Sequence, residues 1–226
     1  GNRIGIFRIL DLLDKHGIKA TVAANAGACE RYPNLIEACQ ERGYEIAAHS
    51  DYQTRMITSD MSEADEREVI ASATDVLEKA SGQRPTGWLG VDSNESTRTP
   101  QLLAEAGYDY QLDWPNDDQP YMMTTDPALV AIPNQMEWDD VNALWIRNIP
   151  NPRYPGLISE AFRTLHAEGA ESGRLFSLPL HSWVIGQPHR ISYLAEALED
   201  ICSVGDVWQA TAGEIARHYR SEAQGS

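Results

Sequence analysis

Apolar residues in this chain recur at helical spacing in some stretches and form short continuous runs in others, and the two patterns alternate. Ile6, Ile9, Leu10 and Leu13 share one helical face and Gly17 is a typical helix end, so the first predicted element is a helix. Short apolar runs bounded by turn residues predict strands. The predicted strands cover 18–24, 44–50, 86–90, 108–114, 129–133, 174–182 and 207–211.

Helix signals fill the intervals between these strands. Ser62 and Asp65 have the spacing of a capping box, which predicts a long helix over 62–80. Pro100 at a helix start and Gly107 after its end bracket another helix. Further helices are predicted at 33–42, 156–170, 190–202 and 213–220.

Regular alternation of helix and strand predicts an α/β fold. Short connections imply a parallel sheet covered by helices, and about seven units favour a distorted (β/α)7-type barrel, with a doubly wound sheet as the alternative. Residues 1–226 are expected to form one domain, since that length can bury a sizeable core. Because such a barrel begins with a strand, we expect a first strand upstream of Gly1.

Polar and aromatic side chains collect at the C-terminal ends of the predicted strands, where the active sites of parallel barrels lie. The strand 44–50 delivers His49, and the strand 174–182 delivers His181 and then Trp183. Other strand ends and loops contribute residues of the same kinds, namely Trp88, Asp113, Trp114, Asp117, Asp118, Gln187 and His189.

These residues also have structural interpretations. A lone histidine at a strand end is more often structural, but convergence of several such residues on one face favours a site. Tryptophans there suit a pocket wall that contacts a ring-shaped or sugar-like ligand. Asp139 and Asp140 are second-rank candidates, because either could cap the helix that follows.

The charge balance narrows the class of partner. The chain carries 34 acidic and 18 basic side chains, a formal net charge of −16, so nucleic acid and membrane partners are not expected. Three scattered cysteines without a C-x-x-C pair are typical of packed thiols and favour a cytoplasmic location. The partners that we expect are a small-molecule or sugar substrate and, as a possibility left open, a second copy in a homo-oligomer.

Several stretches resemble the motifs of one family. AAHSDYQTR around His49 resembles the H-S/T-x-x-H motif of NodB-type polysaccharide deacetylases. RPTGWLG followed by TPQLLAEAGYDYQLDW resembles their third and fourth motifs, and SLPLHSWVIGQPHR resembles their last. DWPNDDQPY and LHSWVIGQPHR are similar to the branch of allantoinases and cyclic imide hydrolases. The resemblance implies one catalytic domain with a distorted barrel that hydrolyses carbon–nitrogen bonds other than peptide bonds.

The resemblance also implies a metal site, from which this sequence departs. In the family two motif histidines and an aspartate on the first strand hold a divalent metal such as zinc. His49 matches the first histidine, but Gln53 stands at the second, and an amide oxygen is a poorer zinc ligand than imidazole. Leu89 replaces the arginine of the third motif, which argues against a plain sugar deacetylase. We expect either no cofactor or one divalent metal bound through His49.

Amide hydrolysis requires a base for water, a donor for the oxyanion and an acid for the departing nitrogen. By its match to the last motif, His181 is assigned as the acid, Asp113 orients it or assists as base, and His49 binds a metal or polarises the carbonyl. The leading hypothesis is ring opening of a cyclic amide, ureide or imide by water. The alternatives are a metal-dependent deacetylase of N-acetylated sugars and a non-catalytic small-molecule or sugar-binding barrel.

Overall fold

The structure, a computed structural model, describes residues 1 and 3–225. The chain divides into two compact units. The sheet unit comprises Lys19–Trp114, Pro120–Pro133 and Ala210–Ser226, and the helical unit comprises Gly1–Ile18, Pro115–Gln119 and Asn134–Gln209. The expectation of one domain over the whole chain stays a prediction.

The sheet unit contains a mostly parallel sheet. Its six strands in the described chain are β1 Thr21–Ala24, β2 Glu45–Ala48, β3 Gly87–Trp88, β4 Tyr110–Gln111, β5 Tyr121–Met122 and β6 Val130–Ala131. They are ordered β1-β2-β3-β4-β6-β5, and β5 alone runs antiparallel to its neighbour. The predicted α/β fold with a parallel sheet is confirmed.

Eight α-helices accompany these strands in the described residues. They are α1 Gly5–Lys15, α2 Ala26–Arg31, α3 Pro33–Glu41, α4 Glu63–Ser81, α5 Thr99–Glu105, α6 Tyr154–Glu168, α7 Ile191–Ile201 and α8 Ala212–Gly225. The helices α1, α6 and α7 belong to the helical unit, which also contains a π-helix, Val141–Ile146, and a 3-10 turn, Asn151–Arg153. None of the helices described is long and apolar enough to cross a membrane.

The longest of these helices confirms its predicted start. The Asp65 N–H donates to Ser62 Oγ at 3.2 Å, so Ser62 caps α4, and Gly82 ends the helix in the left-handed conformation with φ of 70°. Its apolar face packs into the core of the sheet unit through Val69, Ile70, Ala73 and Leu77. The apolar face that the sequence predicted for this helix is therefore buried against the core of the sheet unit.

Two predicted strands are absent from the described structure, at 174–182 and 207–211. In the first, the backbone bonds a side chain instead of a neighbouring strand. The Ser177 N–H donates to Gln135 Oε1 at 2.6 Å, and the Leu175 carbonyl accepts from Gln135 Nε2 at 2.9 Å. An apolar run predicts an extended chain, but the chain becomes a β-strand only when its backbone forms hydrogen bonds with the backbone of a neighbouring strand.

The cysteines behave as the sequence indicates. All three are free, and Cys29 and Cys39 are buried. Burial raises the pKa of Cys29 to about 11, so the reactive thiolate is disfavoured there. These thiols pack in the interior as apolar groups.

Candidate functional site

A histidine–aspartate pair lies in the helical unit. His181 Nδ1 donates to Asp140 Oδ1 at 2.7 Å, and the other oxygen, Oδ2, accepts the backbone N–H groups of His181 at 2.9 Å and Ile185 at 3.1 Å. Asp140 is fully buried, whereas the His181 side chain is 43% exposed. The carboxylate therefore fixes the ring orientation and places the second ring nitrogen, Nε2, on the side away from Asp140.

The sequence pointed to a different carboxylate as the partner of His181. Asp113 was expected to orient His181 or to assist as base, and the orienting role was wrong, because the carboxylate that accepts from His181 Nδ1 is that of Asp140. The two second-rank candidates have different roles. Asp140 orients His181, whereas Asp139 Oδ1 accepts the Asn142 N–H at 2.6 Å and caps the π-helix. Since one residue suffices to cap a helix, the presence of a second aspartate before this helix was the sequence signal that Asp140 has another role.

Exposed aromatic rings lie next to His181. The Trp183 ring lies 6.3 Å from the imidazole, measured between centroids, and 5.6 Å from the ring of Trp145. Gln187 Nε2 donates to the Trp183 carbonyl at 3.1 Å, which closes the loop that follows His181. His189 is exposed on the same loop. Trp145 had no place among the predicted residues.

Asp117 lines a cavity of about 290 Å³ within the helical unit. Its walls come from 115–118 and 135–138, including Asp118, Glu137 and Trp138. Asp117 Oδ1 accepts the Asp118 N–H at 2.7 Å, which holds the first of these loops in a tight turn. Asp117, one of the side chains that the sequence analysis placed among the candidates, thus lies in a concave wall that combines carboxylates with one aromatic ring.

In the sheet unit, His49 follows the end of β2. Its Nδ1 lies 2.8 Å from the Leu89 carbonyl, which can only accept, so Nδ1 carries the proton and the neutral ring has its lone pair on Nε2. Ser50 adopts a positive φ of 60°, so the chain turns sharply immediately after His49. Asp51 is buried and accepts Arg55 Nη1 at 2.9 Å. Gln53 is exposed.

The same loop that bonds His49 also holds Asp113. The Gly90 N–H, next to Leu89 in sequence, donates to Asp113 Oδ1 at 2.6 Å. Gly90 permits this approach, because a Cβ there would lie 3.2 Å from Asp113 Oδ1 and 2.5 Å from the Asn94 carbonyl oxygen. The loop after β3 therefore connects the two residues predicted to act in this unit.

Asp113 is buried with few partners. It is 4% exposed, and its second oxygen, Oδ2, has no hydrogen-bond partner among the residues that the structure describes. Burial raises the pKa of Asp113 well above its usual range, the Gly90 N–H opposes this, and the charge of Glu95 adds to it. Burial also raises the pKa of Glu95, although Trp114 Nε1 donates to Glu95 Oε1 at 3.0 Å and opposes the shift.

Trp88 differs from its expected role. It was predicted to line an open pocket, but it has no exposed surface and belongs to the apolar core. Its ring meets that of Tyr108 edge to face at 5.6 Å. The pleat of the short strand β3 directs this side chain into the core, where its indole supplies a large apolar surface. Trp114, by contrast, is 39% exposed.

A buried carboxylate that the sequence did not indicate supports the loop after β3. Glu66 on α4 is fully buried and accepts the Ser96 hydroxyl at 2.9 Å, Arg98 Nη2 at 3.2 Å and the Thr99 hydroxyl. Ser96 and Arg98 precede α5, and Thr99 begins it. The polar residue on the inner face of a helix was its signal in the sequence.

The residues described do not assemble a metal site. Within 1 and 3–225, no group of three or more histidine, cysteine, aspartate or glutamate side chains comes together as a possible ligand set. His49 has a suitable tautomer, but its motif neighbour Gln53 is exposed and contributes a weak donor. The described residues alone therefore do not fit the metal that the family implies.

Comparison with known proteins gives consistent results. The family model for polysaccharide deacetylase matches residues 5–111. A Schizosaccharomyces pombe protein named as a polysaccharide deacetylase is 28% identical over 243 residues, which cover 98% of this chain and 74% of the relative. The fold resembles the crystal structure of Puue allantoinase, with a TM-score of 0.90 and 31% identity over 97% of this chain and 73% of that one.

A second solved structure gives the same result. A Pseudomonas aeruginosa PAO1 protein described as a polysaccharide deacetylase has a TM-score of 0.90 and 31% identity, over 98% of this chain and 74% of its own. The predicted NodB-type fold and the predicted class of hydrolase, acting on carbon–nitrogen bonds other than peptide bonds, are confirmed. Because the likeness extends over nearly the whole chain, the protein belongs to the polysaccharide deacetylase family.

Proposed function

We propose that this protein removes acetyl groups from N-acetylated sugars by hydrolysing the amide bond. Its membership of the polysaccharide deacetylase family supports an amide substrate on a sugar. The observation that carries the proposal is the pairing of His181 with the buried Asp140. An oriented, partly exposed imidazole backed by a carboxylate is the arrangement that general acid catalysis requires.

His181 acts at the departing nitrogen. Water adds to the amide carbon while a base takes one of its protons, so that a carbon–oxygen bond and a tetrahedral oxyanion form. As the carbon–nitrogen bond breaks, protonated His181 donates the proton on Nε2 to the nitrogen, and acetate and the sugar amine leave. Asp140 accepts from Nδ1 throughout, so it stabilises the imidazolium form and prevents the ring from turning.

The residues of the sheet unit retain the roles that the sequence suggested, as parts of the proposal. His49 polarises the carbonyl when both ring nitrogens carry a proton, or, through the Nε2 lone pair of the neutral ring, supplies one ligand of a metal site. Asp113 assists as a base, for which burial has moved its pKa upward. The proposal routes no step through a metal. Substitution of either residue tests its role separately from that of His181.

A second candidate function is ring opening of a cyclic ureide or imide. The likeness to the allantoinase structure, at 31% identity over 97% of this chain, favours it. So do Gln53 and Leu89, which replace a metal-binding histidine and an arginine of the deacetylase motifs. The chemistry assigned to His181 is the same in both cases, because each reaction expels a nitrogen that needs a proton.

The deciding experiment compares substrates and variants together. Wild type, His181→Ala and His166→Ala are assayed on an N-acetylated chitooligosaccharide, on a ureide and on a cyclic imide, with and without chelator. His166 is the matched control, since it is exposed on α6 and contacts the Gly205 carbonyl. We expect release of acetate from the oligosaccharide that only His181→Ala abolishes.

Each other outcome has a definite meaning. Ring opening without acetate release would replace the leading proposal by the second candidate. Binding of a sugar with no turnover on any substrate, even with added divalent metal, would indicate a non-catalytic binding protein. Full activity in His181→Ala would contradict the assignment of the acid in both enzyme proposals.

A further inference from the structure

An exposed aromatic cluster, defined as Trp145 and Trp183, borders His181. The two indoles meet edge to face, with ring centroids 5.6 Å apart and an angle of 76° between the ring planes. Trp145 is 59% exposed and Trp183 is 46% exposed. Large apolar rings that contact each other yet remain in water are typical of binding surfaces, whereas singly scattered ones are not.

One short segment delivers both the carboxylate and the new tryptophan. Asp140, which orients His181, immediately precedes the π-helix Val141–Ile146, and Trp145 lies in the last turn of that helix. Asp139 caps the same helix through the Asn142 N–H. Isolated π-helical turns are rare and are frequent at functional sites, because the wider turn redirects side chains. The backbone thus couples the position of Trp145 to that of His181.

We propose that the aromatic cluster is a stacking platform for a sugar ring of an oligosaccharide substrate, beside the ring whose amide His181 serves. This inference rests on the proposed function for the identity of its ligand. A pyranose ring has an apolar face of C–H groups and a polar rim, so it stacks on an indole while its hydroxyls stay in water. Two indoles at a steep angle offer faces to a chain of rings rather than to one.

The size of the cluster favours a sugar ring over a protein partner. Fully exposed tryptophans present up to about 250 Å² each, so the exposed parts of these two amount to roughly 260 Å². A stable interface between proteins needs about 800 Å² on each side. The cluster is therefore adequate for one or two rings, and a contact between copies of this chain becomes an alternative outcome of the test.

The test measures dependence on chain length. Binding of chitohexaose and of monomeric N-acetylglucosamine is measured by calorimetry in His181→Ala, with and without Trp145→Ala. We expect Trp145→Ala to weaken hexamer binding about tenfold, with no change for the monomer, because only the longer ligand reaches the platform. Trp145→Phe should retain most of the affinity. In the otherwise native enzyme, Trp145→Ala should raise KM for the hexamer and leave kcat unchanged.

Trp208 provides the control. It is 60% exposed in the segment after α7, so Trp208→Ala removes a ring of the same exposure. Equal weakening by Trp208→Ala would overturn the inference, as would hexamer binding that Trp145→Ala leaves intact while acetate release persists. A smaller sedimenting species in Trp145→Ala, with unchanged affinity, would also overturn it and assign the cluster to contacts between copies.

Failure of the inference can be distinguished from failure of the proposed function. If no acetate is released from any oligosaccharide, the proposed function fails. Trp145-sensitive, length-dependent binding would then still support the platform. If acetate is released with the same KM in wild type and Trp145→Ala, the proposed function stands and the platform is wrong.

Discussion

Asp113 and Asp140 are both buried aspartates, one in each unit, and their surroundings are opposite. Asp140 is fully buried and accepts three N–H groups, from the His181 ring, the His181 backbone and the Ile185 backbone. Within the described part of the chain, Asp113 is 4% exposed and accepts one N–H, from Gly90, while its Oδ2 has no hydrogen-bond partner. Burial is nearly the same, so the number of donors decides what each carboxyl can do.

The difference indicates two kinds of role. A carboxylate with several donors keeps its charge in the interior and can hold a neighbouring imidazolium. A buried carboxyl with one donor loses the water that would stabilise its charge and gains few hydrogen bonds in exchange. Its ionised form is therefore disfavoured, and the pKa of Asp113 is raised well above its usual range. Asp140 is thus suited to fix and stabilise, and Asp113 to exchange a proton.

The largest effect is expected when the Asp140 charge is removed. Asp140→Asn should reduce turnover by about 10³- to 10⁴-fold with little change in KM, because the His181 ring loses its anionic partner and its preferred tautomer. Steady-state kinetics of acetate release or ring opening measure this. Asp139→Asn is the matched control, since Asp139 caps the π-helix without touching His181, and it should lose less than about tenfold.

A comparison of stabilities sharpens the contrast. At pH 7, Asp140→Asn should lower the free energy of unfolding by about 2–4 kcal/mol, because an amide cannot accept from all three donors. Asp113→Asn should not lower it, since the amide oxygen still accepts from Gly90 and the neutral side chain carries no charge whose burial costs free energy. Urea denaturation of both variants checks this. Equal losses would mean that donor number does not separate the two residues.

The third effect is a pH dependence carried by Asp113. Its folded pKa is above the unfolded value of about 3.9, so between the two the folded state holds the extra proton. The contribution of Asp113 to stability is therefore greatest below about pH 4 and falls as pH rises towards the folded pKa, by up to about 1.4 kcal/mol per pH unit. Asp113→Asn should remove this part of the slope. Unfolding curves from pH 4 to 8 that are parallel for wild type and variant would contradict the assignment.

The smallest effect concerns Glu95: burial raises the pKa of Asp113, and the charge of Glu95 raises it further. Trp114→Phe removes the indole N–H that Glu95 Oε1 accepts, so the pKa of Glu95 should rise further. Carboxyl NMR titration reports this directly. Because Trp114 is 39% exposed, the change in the free energy of unfolding should stay below about 1 kcal/mol. A lowered pKa would show that the indole does not donate to Glu95.

Local patterns predicted much of the fold. The start of α4 was predicted from Ser62 and Asp65, since a cap depends on residues three positions apart. The strands β1 to β4 and β6 lie within predicted apolar runs. The short helix α2 and the two-residue strand β5 had no such pattern, and 174–182 matched a strand pattern without a strand partner.

The candidate site was predictable as a set of residue types at the ends of predicted strands, one of which, 174–182, is absent from the described structure, and the pairs that they form were less predictable. His181 and His49 were identified from position and motif. Trp88 was misjudged because the direction of a side chain on a two-residue strand depends on the sheet around it. Trp145 and Glu66 were missed, because each acts through contacts with residues thirty or more positions away in the chain.

The sequence by itself determined the parallel α/β class, the family and the histidines to which we assign the chemistry as a proposal, because these depend on periodicity and short motifs. Only the tertiary structure decided which carboxylate serves His181. Asp113 and Asp140 are the same residue type, and sequence carries no distance between residues forty or more positions apart. Donation by two backbone N–H groups and one imidazole to Asp140, against one to Asp113, exists only once the chain has folded.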